Sequence, residues 1–68
     1  MENWTFVTKR CSARTCKVII DWIKNNLTSA TKCSILKIPL MKPSVVMVTS
    51  DINDITKFKE YLKTITLV

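Results

Sequence analysis

The sequence predicts an α+β domain: a short N-terminal helix, a three-stranded antiparallel sheet and a C-terminal helix packed on the sheet, in the order α-β-β-β-α. Three observations lead there. The stretch "SDINDITKFKEYLK" repeats apolar residues at helical spacing behind a capping residue. Two runs before it, "SILKIPLM" and "SVVMVTS", alternate or are rich in β-branched residues, as a pleated half-buried surface requires. Finally, 68 residues allow one small domain, residues 1–68, and a 47% hydrophobic fraction is that of an ordered chain. A domain of this size buries only ~60% of its unfolded surface, so its stability alone is marginal.

The first half supports two readings. In "CKVIIDWIKNN", Val18, Ile19, Trp22 and Ile23 share a helical face, but Val18, Ile20 and Trp22 equally make a strand face of period two. Read as a strand, the segment joins a three-stranded meander preceded by a helix from about Asn3 to Ser12. Read as a helix, with "WTFVT" and "TITLV" as strands, the chain becomes β-α-β-β-α-β, a ferredoxin-like alternative. The next two elements are less ambiguous. Leu36, Ile38 and Leu40 alternate with Lys37 and Pro39 in one strand, "MKPS" turns the chain, and Val45 to Val48 begin the other. Because Pro39 lacks an N–H, its strand is expected at an edge. In the last helix Ile52, Ile55, Phe58 and Leu62 form the apolar stripe; Ser50 or Asp51 caps it, and acids lead while lysines end it, as the macrodipole prefers.

Charge is unevenly placed. Residues 1–50 hold Lys9, Arg10, Arg14, Lys17, Lys24, Lys32, Lys37 and Lys42 against Glu2 and Asp21, whereas residues 51–68 balance Lys57, Lys59 and Lys63 against Asp51, Asp54 and Glu60. The whole excess of +6 therefore lies in the first fifty residues. Such asymmetry attracts a polyanion through counterion release. The plain alternative is that lysines keep a small protein soluble, and charge alone supports both.

Other residue types exclude chemistry. No histidine is present, which removes the usual general base, and no glycine, which removes phosphate-cradling loops and dinucleotide fingerprints. Cys11, Cys16 and Cys33 are odd in number and lack the paired C-x-x-C knuckles of a zinc site, so buried thiols are expected rather than a metal or a closed set of disulfides. No enzyme activity, cofactor or small-molecule substrate is expected. A rival reading makes Cys11 or Cys16 a reactive thiol activated by Arg14 and Lys17. No apolar run approaches the ~20 residues of a membrane span, and "MENWTF" does not read as a signal peptide, so an intracellular protein without a membrane partner is expected.

Order and spacing resemble the thirty-eighth eukaryotic large-subunit ribosomal protein family, small basic proteins with a helix, three strands and a final helix. Trp4, Phe6 and Val7 before Lys9-Arg10, then Ser12, Ala13 and Arg14, are similar to the family's first helix and the basic residues that end it. Val18-Ile19-Ile20, Leu36-Lys37-Ile38 and Ser44 to Asp51 resemble its three strands, and Lys57, Phe58 and Leu62 its last helix. The likeness runs from about Thr5 to Leu62. It departs at Asp21, Trp22 and Ile23, where the family is rich in lysine, at Val45-Val46, where it has Tyr-Thr, and at "KTITLV", which replaces a Pro-Pro step.

The resemblance implies a non-catalytic cytoplasmic component of the large ribosomal subunit, in contact with ribosomal RNA and with neighbouring ribosomal proteins. Lys9, Arg10, Arg14 and Lys17 would neutralise phosphates, and Lys24, Lys32, Lys37 and Lys42 are further RNA-binding candidates, with the basic end and the exposed edge of the sheet as the contact surface. Trp4, Phe6, Trp22, Phe58 and Tyr61 are candidates for base stacking, with core packing the commoner use of such residues. The competing expectation is a small ferredoxin-like binding protein, viral or host, acting on nucleic acid or on a protein partner.

Overall fold

A computed structural model describes residues 2–67 and contains five elements: β1 (Trp4–Val7), α1 (Ala13–Asn26), β2 (Thr31–Leu36), β3 (Ser44–Thr49) and α2 (Ile52–Lys63). The α+β class, the three-stranded antiparallel sheet and the C-terminal helix packed on it are as expected. The chain threads them as β-α-β-β-α, so the expected α-β-β-β-α order is corrected in its first half. The segment from Asn3 to Ser12 holds a strand rather than a helix, and "CKVIIDWIKNN" is helical, as in the ferredoxin-like alternative. The fourth strand of that alternative is absent among the described residues: Ile65 to Leu67 are irregular, and Val68 lies outside them.

The reason is the sheet's need for a centre and a cover. Strand β3 lies between β1 and β2 and pairs antiparallel with both. Trp4 pairs with Thr49 and Phe6 with Met47 on one side; Thr31, Cys33 and Ile35 pair with Thr49, Met47 and Val45 on the other. Period two sends all of these to one face. Both helices cover that face, α1 over β2 and β3, α2 over β1 and β3. Helix α1 therefore turns Cys16, Ile19 and Ile23 inward at positions i, i+3 and i+7 and leaves Val18 54% exposed, a division the period-two reading cannot produce. Ser12 caps this helix by accepting from the Thr15 N–H at 3.2 Å.

Phe58 of α2 plugs the layer. It is wholly buried with Val45, Met47 and Ile19, and Phe6 meets it edge-on at 5.4 Å and 89°. Trp22 and Tyr61 stack at 4.1 Å and 7°, joining the flanks of the two helices. Four of the five aromatics considered for base stacking thus hold the core together instead, each pair adding roughly 0.5–1.5 kcal/mol beyond its buried area. Trp4 remains 37% exposed.

At one end of the helical layer sits a polar knot. Asp54 is completely buried. Its Oδ2 accepts from the Thr28 N–H at 3.0 Å, the Thr28 hydroxyl at 2.7 Å and the Thr31 hydroxyl at 2.5 Å. The Thr31 and Thr49 hydroxyls are 2.7 Å apart, and since Thr31 gives its single proton to the carboxylate, Thr49 donates to Thr31. Burial opposes ionisation of Asp54, but the donors from Thr31 and Thr28, aided by the Lys57 charge, overcome it and hold the carboxyl below its ordinary value.

The β2–β3 connection corrects a second expectation. Strand β2 ends at Leu36, earlier than "SILKIPLM" implied, and Ile38 to Met41 form a turn in which the Met41 N–H donates to the Ile38 carbonyl at 3.1 Å. Pro39 occupies its second position, where a fixed φ is wanted, so the missing donor is no burden. Leu40 takes the third position at φ 67°, the left-handed region that favours glycine, in a chain that has none.

Two outcomes follow. Because the folded carboxyl of Asp54 is depressed, its stabilisation is fully present above the ordinary value of 3.8 and is lost as pH falls through the lower folded value. Replacing it as Asp54→Asn is expected to cost about 2 kcal/mol at neutral pH in urea unfolding, with the gap to wild type narrowing under acid. Leu40→Gly releases left-handed strain and is expected to stabilise by about 0.5–1 kcal/mol in the same assay.

Candidate nucleic-acid interface

Strand directions sort the charges into two poles. Strand β1 runs toward the β1–α1 turn, β2 runs parallel to it, and β3 returns. The end of β1, the start of α1 and the β2–β3 loop therefore meet at one end of the molecule. Backbone bonds hold them there: the Thr8 N–H donates to the Val45 carbonyl at 3.0 Å, Val45 N–H to the Thr8 hydroxyl at 3.0 Å, and Cys11 N–H to the Pro43 carbonyl at 2.9 Å.

This end carries Lys9 and Arg10 in the turn, Arg14 in the first turn of α1, and Lys37 and Lys42 in the β2–β3 loop, all exposed. It is also the positive end of the α1 dipole, with no acid in the first helical turn. Lys42 is close enough for its charge to act on the Cys11 thiol. The structure adds two lysines that the sequence partition assigned to a neutral C-terminal segment. Helix α2 ends at this pole, where Lys63 and Lys9 line one shallow groove of about 610 Å³ with Phe6 and Leu62, and Lys59 Nζ lies 6.0 Å from the Phe6 ring centre. Lys63 is only weakly held by Glu60, at 3.5 Å on an exposed surface. That is the only ion pair among the described residues. What would have found these lysines is the pairing of β1 with β3, which decides where α2 must end.

The remaining predicted cations do not join the pole. Lys17 lies one turn further along α1 on its exposed flank, followed by Asp21 and then Lys24. Lys24 and Lys32 border a second groove, about 520 Å³, with Thr28, Ser29 and Cys33 at the opposite end. Ten residues of helix separate Arg14 from Lys24, about 15 Å, which exceeds a physiological Debye length of about 8 Å. The two patches therefore act separately, and the acids Asp51 and Asp54 belong to the second end.

The uncovered sheet face is not basic. Thr5, Val7, Ser34, Leu36, Ser44, Val46 and Val48 share it with Lys32. Val7, Leu36 and Val48 are 51%, 44% and 36% exposed, and no aromatic stands on this face, so the base-stacking platform of an RNA-recognition motif is lacking.

The thiols are shielded from solvent to different degrees. Cys11 and Cys16 have no exposure, and burial with the neighbouring Cys16 thiol pushes Cys11 up to about 11, against a smaller pull from Lys42. Cys33 is half-buried and also raised, by burial, against the Lys24 charge. Arg14 and Lys17 are exposed, and Lys42 is the cation whose charge acts on the Cys11 thiol. No group of three or more Cys, Asp or Glu able to hold a metal ion occurs among the described residues, and none of the described helices is long and apolar enough to cross a membrane.

Set against known protein families, curated proteins and solved structures, the chain matches none.

In the fully reduced native protein at neutral pH, Cys11 and Cys16 are expected to resist alkylation until denaturant is added; peptide mapping after a timed maleimide pulse checks this. Rapid labelling of either residue before unfolding would restore the reactive-thiol reading.

Proposed function

We propose that this protein is a non-catalytic RNA-binding module whose contact surface is the basic pole, and that its setting is the large ribosomal subunit. The observation that carries the reading is the gathering of Lys9, Arg10, Arg14, Lys37 and Lys42 around the N-terminus of α1 with no ion pair to any of them among the described residues. Unpaired cations and oriented backbone N–H groups at one end are what a phosphodiester chain requires, since phosphate contacts supply most of the affinity and position the protein. Arginine suits the two central positions because its planar fork grips a phosphate bidentately. Folded RNA is recognised largely by shape and backbone, which agrees with a surface poor in exposed aromatics.

The ribosomal setting rests on the motif resemblance. Of its third-strand run, Ser44 to Asp51, the residues Ser44 to Thr49 form β3, and its last-helix residues, Lys57, Phe58 and Leu62, lie on α2. Val18-Ile19-Ile20, compared with a strand, falls on α1; Trp4, Phe6 and Val7, compared with a helix, fall on β1; and of Leu36-Lys37-Ile38 only Leu36 lies in β2. The first two differences favour a second reading, a ferredoxin-like module acting on single-stranded nucleic acid or on a protein, because β1-α1-β2 with β3 inserted between the strands is the split β-α-β arrangement. Co-sedimentation of the endogenous protein with large subunits through a high-salt gradient separates the two.

The double variant Arg10→Ala/Arg14→Ala is expected to weaken binding to a structured RNA about tenfold at physiological salt, and to flatten the dependence of log affinity on log salt by about 1 to 2, with the thermal midpoint unchanged. Lys24→Ala/Lys32→Ala is expected to change affinity much less. Fluorescence anisotropy over a salt series reads both, and a salt-independent wild-type affinity would remove the electrostatic basis of the proposal.

A further inference from the structure

We propose that Cys11 and Cys16 are partners in an intramolecular disulfide that ties the β1–α1 turn to the first turns of α1. Their Sγ atoms lie 3.2 Å apart, and both side chains are wholly buried. The backbone on each side is already held: Cys11 N–H donates to the Pro43 carbonyl at 2.9 Å, and Cys16 N–H donates to the Ser12 carbonyl at 3.0 Å. Sulfurs in a disulfide lie about 2.05 Å apart, so closure needs a movement of little more than ~1 Å shared between two side chains. The third thiol, Cys33, lies on β2. An odd cysteine number therefore leaves one pair and one spare thiol, and does not exclude a bridge.

The oxidant is a low-molecular-weight disulfide of the glutathione class. One cysteine thiolate attacks it, forming a mixed disulfide and releasing one glutathione thiolate. The second cysteine thiolate then attacks the protein sulfur of that mixed disulfide and releases the other glutathione. Two protein S–H bonds are lost and one S–S bond forms; the oxidant's S–S bond is reduced by two electrons, and its two thiolates take up the two protons. Burial and the raised Cys11 thiol make this exchange slow in the native protein. The bond therefore forms while the chain folds and the thiols still meet the oxidant, and native packing then shields it. It braces the segment that carries Lys9, Arg10 and Arg14, but the inference does not depend on what those cations bind.

The test is refolding of the Cys33→Ser variant in a glutathione buffer rich in the oxidised form, followed by acid quench, alkylation under denaturing conditions and mass measurement. Wild-type protein handled identically and mapped by peptide gives the same readout should the variant fold poorly. The expected result is a loss of two hydrogens, no alkylation at Cys11 or Cys16, and a thermal midpoint about 10 °C above that of the reduced protein, as closing a short loop in the denatured chain implies. Two alkylated cysteines after refolding, a glutathione adduct or covalent dimer through Cys11 or Cys16, or a bridged form that melts below the reduced one would each overturn the proposal.

Discussion

The buried carboxylate of Asp54 is the constraint on which the architecture turns. A single oxygen collects three donors from two positions in the chain, Thr28 in the α1–β2 turn and Thr31 at the start of β2, and through Thr31 it reaches Thr49 at the end of β3. Those contacts bring the exit of α1, the entry of β2, the exit of β3 and the entry of α2 to one place. A charged group excluded from water is tolerable only with such partners, so any other arrangement of these four chain segments leaves an uncompensated charge. With one end of both helices set there, their opposite ends, and the charges they carry, have only one place to go.

That geometry gives the molecule its electrical polarity. Helix α1 leaves the basic end and α2 returns to it, so the positive end of one helix dipole and the lysine-bearing end of the other lie together. The negative end of the α2 dipole is at the basic pole as well, and Lys59 and Lys63 in its last two turns compensate it. Cations from four chain segments, the β1–α1 turn, α1, the β2–β3 loop and α2, are thus brought to one end by topology. In the linear sequence they extend from Lys9 to Lys63, and the last two belong to a charge-balanced segment.

The β2–β3 loop on the same pole places apolar side chains among the charges. Leu40 is fully exposed at the strained turn position, and Ile38 and Met41 are 39% and 47% exposed, between Lys37 and Lys42. Strain of this kind persists only where the surrounding structure over-determines it. Here Pro39 before Leu40 and the bond from Met41 to Ile38 close the turn, and the start of β3 is held by Thr8 and Cys11. A leucine in place of glycine leaves that tip less tolerant of rearrangement and gives it an apolar surface.

The sequence by itself determined α2 and its charge order, the identity of β3, and the α+β class, because each depends on contacts between near neighbours or on a strong periodic pattern; it left the cap between Ser50 and Asp51, which the structure gives to Asp51, and counted in the apolar stripe Ile52, which stays 59% exposed. It also identified Lys9, Arg10, Arg14, Lys37 and Lys42 of the basic pole, but not Lys59 and Lys63. It did not determine whether residues 14–25 were strand or helix: Val18, Ile19, Ile20, Trp22 and Ile23 satisfy both periods, and the choice belongs to which face of a sheet needs covering. Likewise Asp54 looked like a first-turn charge for the helix dipole, and only the approach of Thr28 and Thr31 made it a buried anchor. Lys24 and Lys32 were grouped with the basic turn, and strand direction separated them from it. Local pattern fixes what an element can be, whereas which elements adjoin, and hence which side chains share a pole, is decided by long-range pairing that leaves no trace in residue spacing.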